Sequence, residues 1–188
     1  MLKLNQIVLA SIVLLSGCSL FPTEPTIPYS KTASLPLYKL NNWSLDGRLS
    51  ISNSQDSWNA NMDWQHTENN EQIKLSGPLG QGATVIRLTK DSVTIDKGDG
   101  KPQTSNQPQQ FINQQLGMFV PVASLRYWVI GLPEPNVDFV ETATGFTQAG
   151  WSIDYKQMQT VKTNTVPYKI HVSNQQVKLK LIIDEWQL

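Results

Sequence analysis

The chain has 188 residues, of which 39% are hydrophobic and 16% charged, and its 15 basic side chains are balanced by 15 acidic ones. This length suits one domain with a substantial core, and the balanced charge argues against a nucleic-acid binder, which needs surplus cations to neutralise phosphates. One cysteine and two histidines exclude a disulfide framework and a thiolate metal cluster, so we expect no metal site.

The first eighteen residues predict a secretory signal that ends in a lipid attachment site. Lys3 supplies a positive charge, and Ile7 to Leu15 is an apolar run too short to span a bilayer, which takes about 20 residues. The run leads into Leu-Ser-Gly-Cys, which resembles a bacterial lipobox ending at Cys18. We therefore predict a signal peptide at 1–17 and a lipidated Cys18; the alternatives are an ordinary signal with an accidental cysteine or a buried helix.

The next segment, residues 18–36, contains four prolines among serines and threonines. Proline fixes φ and removes a backbone donor, so the composition predicts an extended tether in front of a domain at 37–188. Ser19 stands where bacterial lipoproteins kept in the inner membrane commonly have aspartate. We therefore expect a lipid-anchored protein of the bacterial outer membrane that faces the periplasm.

From Trp43 onward, apolar and polar residues alternate with a period of two, which is typical of half-buried antiparallel strands. Two segments in the middle, 109–117 and 122–131, instead favour helices, and Gly131 provides a stop signal. Two short helices cannot cover so wide a sheet. The simplest arrangement is a strongly curved sheet closing on itself with the helices as a lid, although the same pattern fits a barrel filled by its own side chains.

Five separated segments resemble the LolB family of outer-membrane lipoprotein receptors and occur in the same order. They are the lipobox at 15–18, the strand WSLDGRL at 43–49, the turn GPLG at 77–80, the helix SLRYWVIGLP at 124–133 and the terminal strand at 177–186. The resemblance covers the domain from about residue 43 to the end. It implies a mainly β fold with a few helices: an unclosed antiparallel β-barrel with a short helical lid over a hydrophobic cavity.

The resemblance also implies a function without covalent chemistry or nucleotide, so we expect no enzyme and no cofactor beyond the lipid on Cys18. A LolB-like protein accepts acylated lipoproteins from the periplasmic carrier LolA and inserts them into the outer membrane. The expected partners are a LolA-type carrier, acylated cargo and outer-membrane lipid, but no nucleic acid, and the protein is expected to act as a monomer.

Leu79 lies in a Gly-Pro-Leu-Gly loop, where a large apolar side chain has no obvious core to enter. The resemblance implies that this loop protrudes and delivers cargo into the membrane; a leucine folded back on the sheet is the alternative. The cavity is expected to be lined by inward-facing strand residues and by the lid, with core packing as the alternative for each. The predicted lining residues are Leu45, Leu49, Ile51, Trp58, Met62, Trp64, Ile73, Leu75, Phe111, Leu116, Leu125, Trp128, Val129 and Trp151.

Two charged residues in the matching segments, Arg48 and Arg126, are interpreted as solvated or locally paired rather than as a contact between lid and barrel. An anchored hydrolase is disfavoured because Gly-x-Ser-x-Gly is absent and neither His66 nor His171 sits in a catalytic motif. A structural lipid-anchored protein that binds other envelope components remains open, since it would need only a filled core.

Overall fold

The computed structural model describes residues 27–188. The predicted signal peptide, Cys18 and the first part of the predicted tether lie outside the described residues. Among residues 27–188, no helix is both long enough and apolar enough to cross a membrane.

The strands form one antiparallel sheet that is not closed. In spatial order it runs β6-β5-β4-β3-β2-β1-β11-β10-β9-β8-β7, so that β6 and β7 are its two edges. The mainly β, unclosed architecture is therefore confirmed. The strands are β1 Trp43–Ser52, β2 Ser57–Thr67, β3 Asn70–Ser76, β4 Thr84–Leu88, β5 Val93–Asp96, β6 Gln103–Ser105, β7 Phe139–Thr142, β8 Gly145–Gln148, β9 Trp151–Val161, β10 Asn164–Ser173 and β11 Lys178–Gln187.

Within residues 27–188, three short α-helices accompany the sheet. They are α1 at Lys31–Ser34, which continues into a 3₁₀ helix at Leu35–Lys39, α2 at Pro108–Leu116 and α3 at Val122–Trp128. Helices α2 and α3 lie in the connection between the two edge strands, where the sequence predicted two helices. The predicted stop signal is also confirmed, because Gly131 adopts a left-handed φ of 90° and the Leu132 N–H donates to the Tyr127 carbonyl.

The predicted extended tether is wrong at its end. Residues 31–34 are helical, and Ile27 forms a β-bridge with Met158 on β9. The Tyr29 ring stacks on Tyr155 with centroids 4.4 Å apart. The proline content favoured an extended chain, but the apolar side chains between the prolines gain burial by docking on the sheet, which outweighs that local preference.

The alternating pattern of β1 places its apolar side chains in the core, as predicted: Leu45, Leu49 and Ile51 are all buried. At Gly47 the pairing with β11 shifts register, and a Cβ there would overlap the carbonyl oxygen of Ile182. Glycine is thus required by the close approach of the two central strands.

Candidate functional site

An open-mouthed hollow of about 470 Å³ lies between helix α2 and the concave face of strands β2 to β5. Its volume falls within the range of about 300–1,000 Å³ that is usual for small-molecule sites. Most of the side chains around it are apolar. The lining consists of Trp58, Asn59, Ala60, Leu75, Ser76, Gly77, Gly82, Thr84, Ile86, Ile95, Lys97, Ile112, Gln115 and Leu116.

The space exists because β2 and β4, the strands on either side of β3, carry short side chains on the same face. On β2, Ala60 occupies an inward position between Trp58 and Met62, and on β4 the inward position before Ile86 is held by Thr84. Alternate residues of a strand share a face. The short side chains leave a gap between this end of the sheet and α2, and the side chains of the helix do not fill it.

A loop between β3 and β4 forms part of the rim of this hollow. Its backbone is tied together by hydrogen bonds from the Gly77 N–H to the Gln81 carbonyl, 2.8 Å, and from the Gly80 N–H to the Gly77 carbonyl, 2.7 Å. Leu79 at its tip is 85% exposed, whereas Gly77 and Gly82 at its base line the hollow. An unburied leucine therefore stands beside the mouth of an apolar space, and the alternative of a leucine folded back on the sheet does not apply.

The predicted lining residues divide into three groups. Trp58, Leu75 and Leu116 line the hollow, and the structure adds Ile86, Ile95 and Ile112. Phe111 is half-buried against the core. The other predicted residues belong to the packed core: Leu45, Leu49, Ile51, Met62, Trp64, Ile73, Leu125, Trp128, Val129 and Trp151. The interior is thus filled over most of the sheet and open at the β2–β5 end.

Helix α3 is fixed to the filled part of the sheet by buried polar contacts. The indole N–H of Trp128 donates to the side-chain oxygen of Gln148 at 2.8 Å, and the Tyr155 hydroxyl donates to the Trp128 carbonyl, also at 2.8 Å. Both contacts lie away from water, where an unpaired polar group is costly. This part of the lid is therefore anchored.

A second hollow of about 580 Å³ lies on the other side of α2, and it is the more polar of the two, although Leu88, Ile112 and Val122 also line it. It is bounded by the β2–β3 and β4–β5 turns and by both helices. Its charged and amide side chains are those of Glu68, Asn69, Asn70, Glu71, Lys90, Asp91, Gln109 and Arg126. Ile112 lines both hollows.

Glu71 is the central polar group of this end and is only 4% exposed. Its carboxylate accepts a hydrogen bond from the Trp64 indole at 2.6 Å and meets the imidazole of His66 at 2.7 Å. The guanidinium of Arg126 approaches the same carboxylate to 3.5 Å. Arg126 therefore links α3 to β3, unlike the solvated or local role inferred from the sequence.

Arg48, in contrast, pairs with Asp184 on the neighbouring strand β11 at 2.9 Å, and both side chains are exposed. The exposure of Arg48 fits the solvated position expected from the sequence, but its partner lies 136 residues away along the chain. Exposed pairs of this kind contribute little to stability.

Comparison with known proteins identifies a matching family and similar relatives. A family model described as "Outer membrane lipoprotein LolB" matches residues 41–186. The outer-membrane lipoprotein LolB of Nitrosococcus oceani is 30% identical over 97% of this chain and 96% of its own length. That of a Marinomonas species is 31% identical, covering 96% of each chain. A solved structure of a LolA-superfamily protein from Nitrosomonas europaea superposes on 80% of this chain and 87% of its own, with 9% identity and a TM-score of 0.47.

Proposed function

The chain belongs to the LolB family of outer-membrane lipoproteins, and on that premise we propose that it accepts acylated lipoproteins from a LolA-type periplasmic carrier and inserts them into the outer membrane. The acyl chains of the cargo occupy the apolar hollow. In this proposal the protein acts as a monomer, and it uses no covalent chemistry, no nucleotide and no cofactor beyond the lipid on Cys18.

The observation that supports this proposal is the position of Leu79 at the rim of the hollow. Burying one leucine in a membrane gains on the order of 1.5–3 kcal/mol. That suffices for a brief contact with the bilayer and is too little for a lasting one. A loop of this kind brings the mouth of the hollow to the lipid surface and then lets it leave.

Retention at the membrane is assigned to Cys18, which lies outside the described residues. Each methylene that enters the bilayer contributes about 0.8 kcal/mol, and one acyl chain alone binds only marginally. Several chains on one cysteine hold the domain durably. The anchor and the loop therefore have separate tasks, the first keeping the protein at the membrane and the second presenting cargo.

The direction of cargo transfer comes from differences in affinity for the acyl chains among carrier, receptor and bilayer. Each 1.4 kcal/mol in favour of the receptor shifts the cargo tenfold from the carrier. The bilayer buries the chains completely and is the final acceptor. No energy source is needed if the three affinities rise in this order.

The test separates acceptance from insertion. Carrier loaded with an acylated lipoprotein is mixed first with the receptor and then with vesicles, and the cargo is followed through both steps. Leu79→Glu should accept cargo like the wild type but insert it about tenfold more slowly or worse, because the loop then loses its apolar contact and must desolvate a charge.

The matched control is Val140→Glu, which places the same charge on the other strongly exposed apolar residue, 68% accessible on edge strand β7. This variant should insert cargo normally. Normal insertion by Leu79→Glu would refute the role of the loop. Cargo that remains on the carrier in the presence of the wild-type protein would refute the receptor function itself.

A structural lipid-anchored envelope protein is the second candidate. The observation in its favour is that most of the apolar face is filled by its own side chains, with Trp64, Trp128 and Leu181 completely buried. Such a protein has no use for a guest in the hollow. Failure of the wild-type chain to bind any fluorescent fatty acid would favour this candidate over the receptor.

A further inference from the structure

We infer that Ile112 limits how far an acyl chain can enter the protein, because it separates the apolar hollow from the polar hollow behind it. The inference rests on the proposed function, in which the apolar hollow receives acyl chains. It assigns to one residue of the lid a role in selecting chain length.

Ile112 lies at the point where the two hollows meet. Its side chain borders both hollows and is only 1% exposed. On the same face of α2, Gln109 lies three residues earlier and borders the polar hollow, whereas Leu116 lies four residues later and borders the apolar one. The helix therefore lies above both spaces, and Ile112 stands at the boundary between them.

The two spaces differ mainly in charge, because one charged residue lines the apolar hollow and five line the polar one. On one side of Ile112 are Ile86, Ile95 and Leu116. A methylene chain can pack against these apolar side chains without desolvating a polar group. On the other side are the exposed charged side chains of Glu68, Lys90 and Asp91. A chain that passed Ile112 would strip water from these charges, which costs free energy. The favourable part of the path thus ends at this residue.

Ile112 is also well suited to act as a fixed boundary. A β-branched side chain has one strongly preferred χ1 rotamer in a helix, so it does not swing aside easily. Ile112 is also the one fully buried residue of α2 and belongs to the packed core, which holds it in place.

The experiment measures affinity as a function of chain length. The chain from residue 18 onward carries Cys18→Ala, so that it needs no detergent, and saturated fatty acids from octanoate to stearate compete with a bound fluorescent fatty acid. In the wild type, affinity should rise about fourfold with each buried methylene. It should level off once the chain reaches Ile112.

Variants of Ile112 should move the point at which affinity levels off. With Ile112→Ala the rise should continue to longer fatty acids, and Ile112→Val should give a smaller shift in the same direction. Ile112→Phe should bring the levelling to shorter chains. The control is Ile170→Ala, which removes the same atoms from a fully buried position on β10 that lines neither hollow; its length profile should match the wild type.

The results test the boundary role of Ile112 separately from the proposed binding of acyl chains. Fatty-acid binding with one length profile in the wild type and all Ile112 variants would overturn the role of Ile112 and leave the proposed function intact. Absence of binding by the wild type would overturn both. If the Ala variant fails to fold, the Val and Phe variants decide, because their shifts are predicted in opposite directions.

Discussion

Among single residues, Asp46 is one whose negative charge destabilises the sheet. On the outer face it stands directly opposite Asp63 on β2 and Glu185 on β11. Like charges in such cross-strand positions destabilise a sheet. Partial burial raises the pKa of the Asp46 carboxyl, and the Coulomb repulsion from Asp63 and Glu185 adds to that rise.

Replacement of Asp46 by Asn should therefore stabilise the protein at neutral pH. Because the folded state raises the Asp46 pKa, it binds this proton more tightly than the unfolded chain, and ionisation above the folded pKa costs stability. We expect Asp46→Asn to increase the free energy of unfolding by less than about 1 kcal/mol, since the carboxyl is largely solvated. Urea unfolding measures the gain.

The gain should fade as the pH falls through the folded pKa of Asp46 towards the unfolded one, because the wild-type carboxyl then becomes neutral as well. Asp184→Asn is the matched control, since its carboxylate pairs with Arg48 on the same face. That variant should gain nothing. A stabilisation by Asp46→Asn that persists unchanged in acid would show that charge is not its cause.

At the scale of the element, helix α3 is attached to the sheet through Glu71. Removing this carboxylate leaves the Trp64 indole N–H and the Arg126 guanidinium without their buried acceptor. An unsatisfied buried polar group costs about 1–3 kcal/mol. We expect Glu71→Ala to lower the free energy of unfolding by at least that amount and to speed amide hydrogen exchange in α3.

The comparison variant is Asp184→Ala, which breaks an exposed pair and should change stability by about 1 kcal/mol or less. If α3 still exchanges slowly in Glu71→Ala, the contacts of Trp128 with Gln148 and Tyr155 are enough to hold the helix. The contact between Arg126 and Glu71 would then be of no consequence for the lid.

The helices and strands were largely predictable from the sequence, whereas the contact between Arg126 and Glu71 was not. Alternation predicted the long strands, and Gly131 predicted where the second lid helix stops, because both signals are local in the sequence. Glu71 instead shares the inward face of β3 with Ile73, where a carboxylate is unexpected. Its partner Arg126 is distant in the chain, so that only the folded sheet brings the two together.

At the scale of the whole molecule, the sequence could not decide between a filled and a hollow interior. Both give the same alternation of apolar and polar residues. The free volume depends on short side chains at Ala60 and Thr84, which belong to different strands and share the same face of the sheet. For this reason the sequence identified inward-facing residues well and assigned too many of them to the cavity.

Photo-crosslinking can show whether an acyl chain occupies the apolar hollow. A fatty acid with a diazirine at its methyl end is bound to the chain, irradiated and located by peptide mass spectrometry. We predict labels on the strands and helix that line the hollow, at Leu75, Ile86, Ile95 or Leu116. Labels confined to the Leu79 loop or the outer face, or no labelling at all, would show that the hollow does not receive acyl chains.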